Sequence, residues 1–350
     1  MTTDIYKILK ENLFQASAPC RIDMGGTLDI STFYFPLRDL SPCTFNIALD
    51  YRTLVTLLPY KPGWIKVSSV GFDEASYPLE EARFDQHLGL FFAIAHYFKA
   101  DGVHIHIDSS SPPQSALGGS SAAAAALIYA FVKLNRFLGK KALTKKKIVL
   151  LARDLEACVA GVPCGMQDHL AAVYGGINGW YWHDGIEKNS LFTRRIIFVK
   201  KMFKKIETRV ALAYVGSTHS SADMNKLWAN QFLSGRYRDI WADITKYTRQ
   251  FVEAFALENF NQAKELMNKE TALRIKMTPN VLDDMGVLLV QAAKEHDCGA
   301  RFTGAGGGGC IWTLGEPDNI SKLKKKWAKL LKRKETACLL DFKIDGKGLK

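Results

Sequence analysis

The stretch Ser111–Phe131, reading SPPQSALGGSSAAAAALIYAF, constrains the fold more than any other part of the chain. Before it, residues 103–107 alternate apolar and polar as a half-buried strand does; after it, residues 122–137 are an unbroken run of good helix formers. Pro112, Pro113, Gly118, Gly119, Ser120 and Ser121 therefore fall in a strand-to-helix turn. Backbone N–H groups in a first helical turn have no partner within the helix, and the helix dipole adds partial positive charge there, so an anion is the natural guest. A phosphate loop is one reading, and an ordinary capped helix with a Gly-Ser lead-in is the other. The spacing matches neither GxxxxGK[ST] nor GxGxxG.

With 350 residues, 47% hydrophobic and 23% charged, the chain can bury a sizeable core and is long enough for two domains. No apolar run has the length to span a membrane, and the first residues lack the basic, apolar and small-residue segments of a signal peptide, so a cytoplasmic location is expected. Seven cysteines, none in a CxxC pair, are expected to be reduced and mostly buried, with no zinc site. The net charge of +12 comes largely from Lys-rich segments at 140–147, 200–205 and 322–334. In the last, Leu323, Trp327, Leu330 and Leu331 recur at helical spacing, which gives one apolar face and one solvated basic face rather than a nucleic-acid or membrane patch. A positive field still favours an anionic substrate.

Along the chain, residues 44–58 and 64–70 read as strands, 84–97 and 144–159 as helices with Thr144 capping the second, and 194–205 as a crossing between halves. A strand from 210, helices over 222–269 and 281–295, and a strand at 311–314 follow. Four consecutive glycines, Gly306–Gly309, cost chain entropy inside a folded segment and imply close approach or unusual dihedrals.

The loop Pro113-Gln114-Ser115-Ala116-Leu117-Gly118-Gly119-Ser120-Ser121-Ala122 resembles the Pro-x-x-x-Gly-Leu-Gly-Ser-Ser-Ala loop of the GHMP superfamily, small-molecule kinases that include galactokinase, homoserine kinase, mevalonate kinase and phosphomevalonate kinase. Ala116 stands where that loop has a glycine. Ala18-Pro19-Cys20-Arg21 is similar to the family's first motif, and Arg301-Phe302-Thr303-Gly304-Ala305-Gly306 onward to its third, with Arg301 in place of lysine. Glu156 and Asp168 are spaced around a Gly-containing turn as in galactokinase-like and mevalonate-kinase-like sequences, although on residues alone Glu156 is a solvated helix carboxylate. Gly25-Gly26-Thr27-Leu28-Asp29 and the later Gln167-Asp168 and Gly175-Gly176 resemble sugar kinases of the D-glycero-D-manno-heptose 7-phosphate kinase type, with Leu28 interrupting the loop. His219 stands where arginine is common.

The resemblance implies a two-domain α+β fold: residues 1–195 like the second domain of ribosomal protein S5, residues 206–350 ferredoxin-like, and a cleft between them. It implies ATP on Pro113, Ser115, Ala116, Leu117, Gly118, Gly119, Ser120 and Ser121, and Mg²⁺ on Ser121 and Glu156, with Ser120 the other choice of serine. Asp168 would orient or deprotonate the acceptor hydroxyl beside Arg21; Gly26, Thr27, Asp29, Gly175, Gly304 and Gly306 would meet the substrate, and His169 would pack or touch it. The expected activity is transfer of the γ-phosphate to a hydroxyl of a sugar or sugar phosphate, in a monomer or homodimer. A mevalonate-type kinase and a silent ligand sensor on the same fold are the alternatives.

Overall fold

The structure, a computed structural model, describes residues 5–161, 164–186, 190–217 and 221–350; His219 lies outside them. In chain order its strands are β1 (Phe14–Met24), β2 (Cys43–Pro59), β3 (Trp64–Ser69), β4 (Ala75–Pro78), β5 (Val103–Ser109), β6 (Ile177–Trp182), β7 (Phe192–Phe198), β8 (Val210–Tyr214), β9 (Gly299–Phe302), β10 (Cys310–Leu314) and β11 (Cys338–Leu340). The helices are α1 (Ile5–Glu11), α2 (Ser31–Tyr34), α3 (Gly89–Tyr97), α4 (Gly119–Phe137), α5 (Lys145–Ala160), α6 (Gln167–Tyr174), α7 (Phe203–Glu207), α8 (Ser221–Leu233), α9 (Arg238–Ala256), α10 (Phe260–Met277), α11 (Asp284–Glu295) and α12 (Pro317–Leu331).

The β-branched and aromatic run of β2 makes one long strand around which the first sheet is laid. One of its edges pairs with β1 from Phe45↔Met24 to Leu57↔Phe14. The other is divided: Cys43–Ile47 pairs with β6 and Thr53–Pro59 with β5. The sheet runs β4-β3-β5-β2-β6-β7, with β1 attached to β2. Helix α4 packs against β1, β2, α5 and α6, and its buried run Ala122–Ala126 puts small side chains around the whole first turns, which lets neighbouring elements come close.

The second sheet is antiparallel in the order β11-β8-β10-β9. Numbered within the half, that is 4-1-3-2, the split βαβ order of the ferredoxin-like fold, with α8–α11 between its first two strands and α12 between its last two. Helix α12 buries Leu323, Trp327 and Leu331 and leaves Lys322, Lys325, Lys326 and Lys329 in solvent. The halves share a core: the Phe45 ring of β2 lies 5.2 Å from Phe251 and 4.7 Å from Phe255 of α9.

Two expectations change. The helix expected from residue 84 begins at Gly89, because the chain doubles back and the Phe84 carbonyl lies where a side chain at Gly89 would have to be. Residues 194–198 do not cross between halves; they form most of β7, whose Arg194 bonds Asn178 of β6, and α7 follows.

The tail fastens the halves together. Residues 343–345 pair with β2 at 48–50, between the stretches taken by β6 and β5, and Lys350 exchanges main-chain bonds with Ser17 of β1. Gly175, expected at the substrate, instead ends α6 at φ +63 and packs on this tail, with the Gly348 nitrogen 2.4 Å from where a Cβ would sit. Gly175→Ala should therefore lower stability in chemical denaturation by about 2–4 kcal/mol, overpacking added to dihedral strain. Gly63→Ala, also at positive φ but with nothing within 4 Å, should cost about 1 kcal/mol. Equal losses would remove the tail contact as the cause.

Candidate active site

The carboxyl end of β1 supplies the first half of the site. Arg21 is buried, and its guanidinium clamps Asp168 with two bonds, Nε to Oδ1 at 2.7 Å and Nη2 to Oδ2 at 2.8 Å. Its Nη1 donates to the Ala116 carbonyl at 2.5 Å, and its main-chain N–H to the Leu117 carbonyl, so the same residue holds the loop before α4. Burial works against the charge, but Asp168 and Asp23 outweigh it and hold the guanidinium above its ordinary value. Asp168 stands at the start of α6 with its side chain 26% exposed, its carboxyl carbon 3.3 Å from where a Cβ on Gly118 would be.

In the loop itself Gln114, Ala116 and Gly118 all take positive φ, at 51, 60 and 76°, and no side chain caps α4. The first N–H groups of a long helix are thereby left to face the cleft. Ala116 adopts the left-handed conformation usually given to glycine, and Gly309 makes room for its methyl: a Cβ there would sit 2.7 Å from that of Ala116. The last of the four glycines thus lies against the loop before α4, the close approach that a glycine run implies.

Behind the first helical turn, Glu156 of α5 accepts from Ser121 Oγ at 2.9 Å and Ser120 Oγ at 3.1 Å. His169 Nε2 is 2.8 Å from the Glu156 carboxylate, close enough to pair though its N–H does not point squarely along the contact. Burial alone would raise the Glu156 carboxyl, but His169 and the two serines hold it below its ordinary value. Two carboxylate oxygens and two hydroxyls converge here, an all-oxygen set of the kind a hard divalent cation takes. Among the described residues there is no group of three His, Cys, Asp or Glu able to hold a metal, and all seven cysteines are free.

These groups open onto one cleft of about 500 Å³. One end is apolar and aromatic, with Val70, Phe72, His87 and Phe91; the Phe72 and His87 rings stack at 6.0 Å. The other end carries Thr27, Asp29, Gln167, Asp168, Asn225 and Gly304. Gln167 Oε1 and Asn225 Oδ1 are buried there without a partner among the described residues. Asp29 accepts from the Gln167 N–H at 2.9 Å, yet burial, with like charge from Asp168 and Asp23, pushes its carboxyl up to about 6. Burial and the nearby Glu156 and Asp29 push the Cys164 thiol well above its ordinary value, so it stays protonated.

Pro113, Ser115–Ser121, Arg21, Glu156, Asp168, Thr27, Asp29 and Gly304 thus line one space. Gly26 and Gly306 do not: Gly26 is turned to Asp23 and gives its carbonyl to Arg274, and Gly306 packs on Val281 and Phe302. Sequence reasoning missed Asn225, Glu270 and Arg274. Glu270 and Arg274 sit four residues apart on α10, a spacing shared with any exposed helical ion pair, yet both are fully buried.

Residues 86–176 match the family model described as the GHMP kinases N terminal domain, and 251–333 that of the GHMP kinases C terminal. The chain belongs to the GHMP kinase family. Of solved GHMP-type structures, the Lactococcus lactis galactokinase complexed with galactose aligns over 99% of this chain and 100% of its own, with a TM-score of 0.71 at 16% identity. A D-glycero-D-manno-heptose 1-phosphate kinase from Bacteroides thetaiotaomicron covers 97% of this chain and 98% of its own, with a TM-score of 0.69 at 14% identity. "Probable glucuronokinase 2" of Arabidopsis thaliana is 24% identical over 174 residues, 48% of this chain and 46% of that protein, so the chain spans about half the length of the curated relative it matches. Among the described residues no helix is long and apolar enough to cross a membrane.

The Asp29 carboxyl gives a pH test of the site. Folded Asp29 holds its proton to about 6, against 3.8 as the ordinary value, so the stabilisation tied to that proton is present at low pH and lost as the pH rises through about 6. Asp29→Asn does not titrate. Its stability relative to wild type should improve by about 1 kcal/mol between about pH 5 and pH 7.5 in denaturant melts, and a pH-independent difference would show that Asp29 is ionised throughout.

Proposed function

We propose that this GHMP kinase transfers the γ-phosphate of Mg²⁺-ATP to a hydroxyl of a sugar or sugar phosphate. The observation that carries the reading is the Arg21–Asp168 clamp, held against the phosphate loop at the floor of the cleft. An acceptor hydroxyl would give its proton to Asp168 as its oxygen bonds to the γ-phosphorus, and the bond from that phosphorus to the β–γ bridging oxygen breaks to leave ADP. Arg21 holds the Asp168 carboxylate in place through two hydrogen bonds, and the N–H groups at the start of α4 bear on the phosphates. Ser121 and Glu156 would hold Mg²⁺, which would supply charge neutralisation for the transferred phosphate.

The two ends of the cleft divide the substrates. The aromatic end with Phe72 and His87 suits the flat base of ATP, and the polar end suits the acceptor. There Gln167 Oε1, Asn225 Oδ1 and the Asp29 carboxylate all accept hydrogen bonds, which a polyhydroxylated ring can donate. That set of acceptors favours a sugar, with its several hydroxyl donors, over a mevalonate-like acceptor, which offers only two hydroxyls. The galactokinase and heptose-kinase folds and the partial glucuronokinase match support the same class.

ADP release measured with Mg²⁺-ATP across hexoses, uronic acids, heptose phosphates and mevalonate tests the assignment; turnover with mevalonate alone would overturn the sugar class. Asp168→Asn should lower kcat by about 10²–10⁴-fold while ATP affinity stays within a few-fold, and full activity would dismiss the base. Glu156→Ala should raise the Mg²⁺ concentration needed for half-maximal rate by about tenfold or more, whereas unchanged metal dependence would dismiss the ligand.

A further inference from the structure

Behind the clamp lies a chain of six buried or half-buried charges that alternate in sign. Arg274 bonds Glu270 at 2.9 Å, Glu270 bonds Arg301 at 2.9 Å, Arg301 reaches Asp23 at 3.1 Å, Asp23 faces Arg21 at 3.5 Å, and Arg21 bonds Asp168 at 2.7 Å. Three guanidinium groups balance three carboxylates. The first two members lie on α10 and the third on β9, all in the second half of the chain; the last three belong to the first half. Glu270 does not touch the cleft.

We propose that Glu270 is a positioning residue for Asp168, acting through Arg301, Asp23 and Arg21, so that the second half of the chain sets the strength of a base carried by the first. This rests on the reading of Asp168 as the base. The argument is one of sharing. Arg301 has two carboxylates, receiving Glu270 on Nε and Nη2 and Asp23 on Nη1. Asp23 in turn is shared between Arg301 and Arg21, with the Gly304 N–H on its Oδ1 at 2.6 Å.

Removing the charge of Glu270 leaves Arg301 with Asp23 alone, drawing Asp23 off Arg21. Arg21 is then under-compensated and leans harder on Asp168, which becomes a weaker and more tightly held base. Arginine at 301 is essential to this: its planar fork reaches both carboxylates at once, which a lysine ammonium at that position cannot do in a fixed geometry.

The test pairs two readouts. Glu270→Gln keeps size and hydrogen bonding while removing charge. In protein labelled with ¹⁵N-arginine, the Arg21 Nε–H signal, assigned by its loss in Arg21→Lys, should shift and its hydrogen exchange should slow about tenfold in Glu270→Gln as its bond to Asp168 tightens, while the Arg52 Nε–H bonded to Ser17 stays unchanged. This measurement needs no substrate, so it stands or falls separately from the kinase reading.

In turnover, Glu270→Gln should lower kcat about tenfold with both KM values within about twofold, and the loss should shrink to under about twofold in an Arg21→Lys background. An unmoved Arg21 signal, or equal fold-losses in both backgrounds, would overturn the proposal and leave Glu270 a fold-stabilising residue. Should Glu270→Gln fail to fold, Arg301→Lys carries the same two measurements, with the same outcomes deciding. Wild type that shows no turnover on the acceptor panel would reject the kinase reading while the Arg21 signal still decides the coupling.

Discussion

The fully buried contact between Arg301 and its two carboxylates, Glu270 and Asp23, ties the second half of the chain to the first. Taking such groups out of water costs several kcal/mol per ion, and only near-complete pairing recovers it. Here pairing is nearly complete: Arg301 also donates to the Asp23 and Phe302 carbonyls, and Arg274 donates to Thr27 Oγ1 and the Gly26 carbonyl while lying over the Trp228 and Trp241 rings at 4.6 and 4.5 Å. Burial still pulls the Arg274 guanidinium down to about 10, whereas Arg301 and Arg274 overcome burial to hold the Glu270 carboxyl below its ordinary value. A cluster of this kind tolerates no loose partner, so it fixes the two halves in one relative position more firmly than an apolar contact of the same area could.

Strand β1 carries that constraint to the cleft. Alternate residues Arg21 and Asp23 meet the loop before α4 and the glycine loop, and the turn after Met24 brings Thr27 and Asp29 to the polar end of the cleft. Three separate segments are thereby positioned by one strand and its turn. The aromatic end of the cleft is built by other means, from the turn after β3, the segment before α3 and α3 itself.

Much of this was legible in the sequence because the decisive signals are local. The strand, loop and helix around Gly118, the capped start of α5 at Thr144 and the stripe of α12 each follow from spacing alone. The Glu156 and Asp168 placement followed only from the family resemblance, since on spacing a helix carboxylate belongs in solvent. What stayed hidden was of two kinds. Gly175 and Gly306 look like site glycines but answer to backbone approach elsewhere, by Gly348 and Val281. Glu270, Arg274 and Asn225 carry no sequence mark because burial and partnership with residues far away in the chain, not type or spacing, give them their roles. His169, expected to pack or to touch the substrate, is fully buried and turned by α6 onto Glu156.

The pairing of Lys350 with Ser17, and of residues 343–345 with β2, has a consequence for how the protein is made. On a ribosome the first sheet emerges early, yet the Asp50 N–H and the Ala48 carbonyl of its central strand lack their main-chain partners until residues 343–345 have been released. Half of the molecule must therefore wait with part of a strand edge uncovered, which makes closing of the tail a late step of high sequence separation and leaves the nascent first half the stage most exposed to wrong pairing.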